Sequence, residues 1–359
     1  MDSNSEIKYM PQLDTLRAFA VIAVLISHWL EVHFLGGAGV TLFFVLSGYL
    51  ITGILLRSRN ISETRNESKF LAAKQFYIRR TLRIFPVYYA TLFVFFIMNL
   101  PFAREYISWY STYTTNFLLY FRQDWLGYFS HLWTLAVEEQ FYILWPFVIL
   151  FIPRKFLLKS IYIIILIGPV FRVIMYLMEG GINNSFQSLL TPSNMDCFGV
   201  GALLAYFRLY NIDKLEFKTA FSKVIAALSV VTIALLVMFG GVIGENSSFG
   251  VNIFVQVLFK TAIIVFSIFL IAKASIGIGG LLKPVFDNKA LMYIGKISYG
   301  VYLFHPFCIA VYKYLGFSVK NNMYVNFVIM FTLVMVISSL SWFLFERPIN
   351  SLKKYFVYK

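Results

Sequence analysis

The sequence predicts an all-α polytopic membrane protein, a bundle of about ten transmembrane helices with both termini in the cytoplasm. Of its 359 residues, 59% are hydrophobic and 19% aromatic, whereas only 13% are charged, a balance that soluble domains do not have. Many apolar runs approach the ~20 residues that a helix needs to cross a bilayer. We therefore expect a single integral membrane domain over residues 1–359, without an internal repeat or a soluble C-terminal domain, in the inner (plasma) membrane.

Apolar runs and charged loops together predict the topology. The predicted spans lie near residues 16–35, 38–56, 84–100, 131–152, 160–178, 195–209, 221–243, 251–272, 293–313 and 323–345. The loop 57–83 carries eight Lys and Arg residues against Glu63 and Glu67, which predicts a cytoplasmic loop by the positive-inside rule. Alternation then places 101–130 outside as the long external loop. The net charge of +14 follows from this topology and gives no reason to expect nucleic acid as a partner.

The first predicted span contains two ionisable residues, Arg17 and His28. Their spacing of eleven residues is about three helical turns, so they share one face and lie ~16 Å apart along the axis. Ionisable residues inside a membrane are costly and usually have a partner or a function. The pair indicates either a polar cavity through the membrane, or an Arg that snorkels to the cytoplasmic surface together with a structural His.

Three arginines, Arg79, Arg80 and Arg83, stand at the cytoplasmic end of the third predicted span. On a helix they form one cluster, and guanidinium groups suit phosphate oxygens. The alternative is that they anchor the helix against lipid headgroups.

The fourth predicted span begins at His131 and contains Glu138 and Glu139. His131 and Glu138 are seven residues apart and share a face, whereas the two glutamates point ~100° apart and are not expected to face one cavity equally. A carboxylate near an imidazole can orient its tautomer, as a general base requires. The alternative is a structural glutamate bonded to a Tyr, Arg or Lys of another helix, which we favour for Glu139.

Polar residues in the later spans give weaker signals. Asp196 is a candidate ion-pair partner, His305 precedes Pro306, which loosens a helix, and Lys260 has no obvious partner. The sequence contains only two cysteines, without the spacing of a zinc site or a disulfide. We predict no metal site.

Six segments match, in order, motifs of a known family. Residues 13–20 followed by His28, and then 39–51, 76–88, 133–142, 295–306 and 345–348, resemble the membrane acyltransferase-3 family over essentially the whole chain. The resemblance implies a ten-helix O-acyltransferase that moves an acetyl or other short acyl group from cytoplasmic acyl-CoA to a hydroxyl of a cell-surface or lipid-linked glycan. Some relatives carry a further transferase domain after the last span; this chain is expected to complete the transfer alone or with a partner.

The same resemblance implies roles for individual residues. Arg17 and His28 correspond to an essential pair, and Arg80 and Arg83 to arginines associated with the acyl donor, acetyl-CoA. The sequence departs from the family at Asn194, where many relatives have a basic residue, which puts an ion pair with Asp196 in doubt.

Acyl transfer needs a base that takes the hydroxyl proton and a cationic or hydrogen-bonding group that stabilises the carbonyl oxygen. We predict His28 as the base, oriented by Glu138, with Arg17 holding the pantetheine or phosphate part of the donor. The residues predicted to bind the acyl donor are Arg17, Arg79, Arg80 and Arg83. The residues predicted to bind the acceptor are Asp14, Ser47, His131, Tyr142, Asp196 and His305. The main alternative is a transporter with a charged substrate path, against which stands the lack of an internal repeat.

Overall fold

The computed structural model describes residues 9–179, 185–210, 224, 227–234, 249–314, 316 and 322–356. Within these ranges every regular element is a helix and none is a strand. The α-helices that position the site are α1 (Pro11–Trp29), α2 (His33–Thr64), α3 (Lys69–Ile97), α4 (Ile107–Ser111), α5 (Thr115–Arg122), α6 (Leu132–Phe151), α7 (Arg154–Met178), α8 (Met195–Tyr210), α9 (Phe249–Ile276), α10 (Lys283–Phe286), α11 (Lys289–Lys296), α12 (Ser298–Tyr314), α13 (Met323–Ser341) and α14 (Arg347–Ser351).

Among the described residues, six helices are long and apolar enough to cross a membrane. A seventh span results if α11 and α12, which meet at 74°, count as one broken helix. Two more predicted spans correspond to α1 and α8. The 16 residues of α8 extend only ~24 Å, less than the ~30 Å of a hydrocarbon core. The predicted span 221–243 lies mostly outside the described residues. The protein is thus a multi-pass helical membrane protein, while the number of ten spans and the side of the termini stay predictions.

The structure corrects two predicted boundaries. The segment 57–83 is not a loop, because α2 continues to Thr64 and α3 begins at Lys69. Arg59 explains the extension: its side chain is only 2% exposed and donates to Glu63 and to the carbonyls of Ile149 and Ile152 at 2.7–2.8 Å. The charged end of α2 therefore stays helical, and its Arg59 side chain donates hydrogen bonds to the free backbone carbonyls at the end of α6. The first helix also differs, since it occupies Pro11–Trp29 and not 16–35.

Glycines allow α2 and α8 to pack closely. A Cβ added to Gly48 would lie 2.2 Å from the carbonyl oxygen of Phe198, and one added to Gly201 would lie 2.1 Å from that of Val45. Small residues at such crossings let two backbones touch within a membrane. This contact fixes the inner face of α2, which carries Ser47.

The start of α1 is held against the turn between α10 and α11. Gln12 donates to Asp287 at 2.7 Å and Thr15 donates to the carbonyl of Phe286 at 2.8 Å. Hydrogen bonds from Lys283 and Gln12 lower the pKa of Asp287 below its usual value, because they favour the charged form of the carboxylate. These contacts set the depth of α1 beside α11 and α12.

A buried polar network joins α7, α8 and α9. Arg172 donates to Asp196 at 2.6 Å and to the carbonyl of Ser193 at 2.5 Å, and Lys260 donates to Asn194 at 2.6 Å. The ion pair of Asp196 is therefore formed, with a partner from α7. Asn194 accepts a hydrogen bond from Lys260, for which the sequence indicates no partner.

Candidate active site

A cavity opens between α1, α2, α3, α6 and α12. Its empty volume, with the open space at the mouth included, is about 810 Å³. The polar lining consists of Arg17, Ser47, Arg80, Arg83, Thr134, Glu138, Glu139, Tyr142, Ser298, Tyr299 and Tyr302. The apolar lining consists of Val40, Phe43, Phe44, Leu50, Ile84 and Leu135. Six of the residues predicted to act in catalysis, to bind the donor or to bind the acceptor thus line this cavity: Arg17, Ser47, Arg80, Arg83, Glu138 and Tyr142.

Three guanidinium groups face the cavity. Arg17 is paired with Asp14 one turn earlier on α1, at 2.5 Å. Arg80 lies over the ring of Tyr142, 4.9 Å from its centroid, a cation–π distance. Among the described residues neither Arg80 nor Arg83 forms an ion pair with a carboxylate within 4.0 Å. Both can therefore bind an anion that enters the cavity.

Arg79 does not line the cavity, contrary to the prediction that groups it with the donor-binding arginines. Its guanidinium donates to the carbonyls of Lys353 and Phe356 at 2.9 and 3.0 Å. The guanidinium of Arg79 is therefore bonded to the C-terminal segment. The residue pattern within α3 could not indicate this contact.

The two glutamates of α6 both reach the cavity. Ser47 donates to Glu138 at 2.5 Å, and Tyr142 donates to Ser47 at 3.1 Å. Glu138 thus orients a serine and a tyrosine of the cavity wall and not His28, which corrects the predicted pairing. Glu139 is 6% exposed and also lines the cavity, so the two glutamates share one cavity, contrary to the expectation from their angular separation, while the structural role favoured for Glu139 stays a prediction.

Three histidines meet beyond the cavity: one from α1, one from the N-cap position of α6 and one from α12. The Nδ1 atom of His28 lies 2.8 Å from Nε2 of His305, and Nδ1 of His305 lies 2.6 Å from the carbonyl oxygen of Tyr302. The ring centroids of His131 and His305 are 5.2 Å apart, and Nε2 of His131 lies 3.1 Å from the carbonyl oxygen of Leu303. His131 and His305 are buried, whereas His28 is exposed.

The sequence points to each histidine separately but not to their contact. Only His305 has a local signal in the sequence for a contact of this kind. The proline that follows it has no N–H, so a backbone carbonyl one turn earlier is left without its helical partner. Among the described residues, no group of three or more His, Cys, Asp or Glu side chains is arranged to hold a metal ion.

Tyr302 separates the cavity from the histidines. It lines the cavity, accepts a hydrogen bond from Thr134 at 2.7 Å and donates to the carbonyl of His131 at 3.3 Å. Its ring centroid lies 5.4 Å from that of His305. The cavity lined by the described residues therefore ends at Tyr302 and does not itself include His28.

Two predicted acceptor-binding residues, Asp14 and Asp196, neither line the cavity nor belong to the group of three histidines. Asp14 neighbours the cavity through its ion pair with Arg17. Asp196 is held by Arg172 in the network between α7 and α8 and does not line the cavity. Its contacts are those of a structural residue.

The chain matches known proteins over most of its length. The family model described as an acyltransferase domain matches residues 10–347. The O-acetyltransferase OatA of Staphylococcus aureus is 30% identical over 372 residues, which cover 96% of this chain and 57% of that protein. The peptidoglycan O-acetyltransferase OatA of Listeria monocytogenes is 32% identical over 328 residues, 83% of this chain and 49% of that protein. No solved structure matches.

The chain spans about half the length of these curated relatives. The matched range begins just before α1, includes every residue of the cavity and ends at Arg347, the first residue of α14. The arginine, carboxylate and histidine groups described above therefore all belong to the part of the chain that the family shares, and the chain belongs to the acyltransferase-3 family.

Proposed function

We propose that the chain is an integral membrane O-acetyltransferase that moves an acetyl group from cytoplasmic acetyl-CoA to a hydroxyl of a cell-wall glycan. The observation that carries the proposal is the cavity in which Arg17, Arg80 and Arg83 converge and whose inner end, at Tyr302, is bonded to the histidine pair. The relatives' names, O-acetyltransferase and peptidoglycan O-acetyltransferase, support the acetyl group and the class of acceptor.

In this proposal the arginines bind the donor. Arg80 and Arg83 hold the phosphates of CoA because guanidinium groups form paired, charge-assisted hydrogen bonds with phosphate oxygens. Arg17, kept in place by Asp14, binds the donor nearer to the reacting thioester. Glu138 holds Ser47 and Tyr142, and Tyr142 in turn supports the guanidinium of Arg80.

His28 supplies the base. The acceptor hydroxyl gives its proton to the imidazole while its oxygen forms a bond with the acetyl carbonyl carbon. The carbon–sulfur bond then breaks, its electron pair stays on sulfur, and the imidazolium returns the proton so that CoA leaves as a thiol. If His28 itself first accepts the acetyl group, the overall balance is the same.

The two substrates approach from opposite sides. The donor enters from the cytoplasm, since Arg80 and Arg83 belong to the basic region 57–83, and the acceptor reaches His28 from the outer face of the plasma membrane. His28 lies at the surface of the helical bundle, in contrast to the buried His131 and His305. Both termini are then cytoplasmic.

The test uses the purified protein in nanodiscs with acetyl-CoA labelled in the acetyl group. We expect slow loss of label from the thioester and release of free CoA thiol in the wild type. This turnover should be abolished in His28→Ala and kept in His33→Ala. His33 is the matched control because it is an exposed imidazole close in sequence and is not one of the two rings in the contact between His28 and His305. An intact thioester in the wild type, together with uptake of a solute into vesicles, would favour the transporter.

A further inference from the structure

We infer that His305 is a positioning residue that holds His28 in the tautomer with its proton on Nδ1 and a bare Nε2, and that Pro306 makes this possible by freeing the carbonyl of Tyr302. The inference rests on the proposed function, since it assigns His28 Nε2 as the atom that takes the proton or the acetyl group. It adds to that function a reason why this nitrogen is ready to react.

The first step concerns the carbonyl of Tyr302. In a regular α-helix this oxygen accepts from the N–H of the residue four positions later. That residue is Pro306, which has no N–H. Nδ1 of His305, 2.6 Å away, takes the place of the missing donor.

The second step fixes the tautomer of His305. A carbonyl oxygen can only accept, so Nδ1 of His305 must carry a proton, and the Nε2 of a neutral ring is then an acceptor. A charged ring is disfavoured at this place because His305 is 0% exposed. Its ring neighbours are His28, Trp29, His131 and Tyr302, none of which is a carboxylate, and an unpaired buried charge is costly.

The third step carries the assignment to His28. Its Nδ1 lies 2.8 Å from the acceptor Nε2 of His305, so Nδ1 of His28 must be the donor. The lone pair of His28 is therefore on Nε2, the nitrogen on the far side of the ring from His305. His28 is also the more exposed residue of the pair, so the nitrogen with the lone pair belongs to the more accessible histidine.

This arrangement performs the task of the third group in a catalytic triad, which orients the base and selects its tautomer. Here a second imidazole and a backbone carbonyl replace the carboxylate. The role is the same whether Nε2 of His28 removes the proton of the hydroxyl or attacks the thioester, because both need its lone pair.

Two substitutions at one position separate orientation from space filling. In His305→Gln the amide oxygen can reach the position of Nε2 and accept from His28. In His305→Asn the amide reaches only the carbonyl of Tyr302, one bond too short for His28. We expect His305→Ala and His305→Asn to lower kcat for acetyl-CoA turnover by about 100-fold, and His305→Gln by less than about 10-fold, on the scale of base-orienting groups. The KM for acetyl-CoA should change little in all three.

The tautomer itself can be observed. The chain has only four histidines, so solid-state NMR of ¹⁵N-histidine protein, with His28 assigned by comparison with His28→Ala, reads its protonated nitrogen directly. We expect Nδ1–H in the wild type and in His305→Gln, and Nε2–H in His305→Asn. A merely structural role of His305 would not move this signal in a folded variant.

The outcomes distinguish this inference from the proposed function. Absence of turnover in both the wild type and His33→Ala would contradict the proposed function. An active wild type combined with wild-type kcat in His305→Ala, or with Nε2–H on His28, would overturn the positioning role alone. If His305→Ala fails to insert, the comparison of Gln with Asn and the wild-type NMR signal still decide.

Discussion

The donor site gives the sharpest prediction, because the phosphate contacts can be removed from the protein and from the substrate separately. Arg83→Ala removes a half-buried guanidinium that lines the cavity and has no carboxylate partner among the described residues. A charge-assisted hydrogen bond to a phosphate contributes about 1.5–3 kcal/mol. At about 1.4 kcal/mol per tenfold change, we expect the KM for acetyl-CoA to rise by about 10- to 150-fold, with a smaller effect on kcat.

The assay compares acetyl-CoA with acetyl-pantetheine, which has the same thioester but no phosphates. The penalty of Arg83→Ala should nearly disappear with acetyl-pantetheine, and Arg83→Lys should recover only part of the loss, because a point charge lacks the paired geometry. Arg65→Ala is the matched control, since Arg65 is exposed in the short connection between α2 and α3.

Two results would refute the reasoning. One is an unchanged KM for acetyl-CoA in correctly inserted Arg83→Ala, which would return the arginine to the role of a membrane anchor. The other is an equal loss with both donors, because Arg83 would then act on the thioester end or on the fold and not on the phosphates.

Three further predictions concern other parts of the molecule. His28→Ala should abolish turnover while donor binding, measured by calorimetry, stays within about twofold, since the loss belongs to proton transfer; wild-type turnover would remove the base from the mechanism. Asp196→Ala should destabilise the fold by about 3–5 kcal/mol because Arg172 is left buried and unpaired, and an unchanged melting temperature in detergent would contradict this. Gly295→Ala should lower both folded yield and turnover, because its Cβ would lie 1.7 Å from the carbonyl oxygen of Asp14; normal yield would show that α11 can move away from α1.

Much of the fold was within reach of the sequence because membrane helices must be long, apolar and internally hydrogen-bonded. Six predicted spans and the bent seventh correspond to helices of the structure. The prediction was wrong where polarity was taken to mean a loop. The region around Arg59 is charged yet helical, because its partners lie at the end of α6, about ninety residues away in sequence.

The sequence by itself determined the class of the protein, the helices that carry the polar residues and the identity of those residues, because periodicity and charge are local properties of the chain. Only the tertiary structure decided which of them meet. In the structure Glu138 accepts a hydrogen bond from Ser47, and Arg79 donates to the backbone of the C-terminal segment. His28 contacts His305, which is 277 positions away in the sequence. Such pairings depend on how helices that are distant in sequence cross. Glycine contacts and buried hydrogen bonds fix these crossings, and the residue pattern within a single helix does not contain this information.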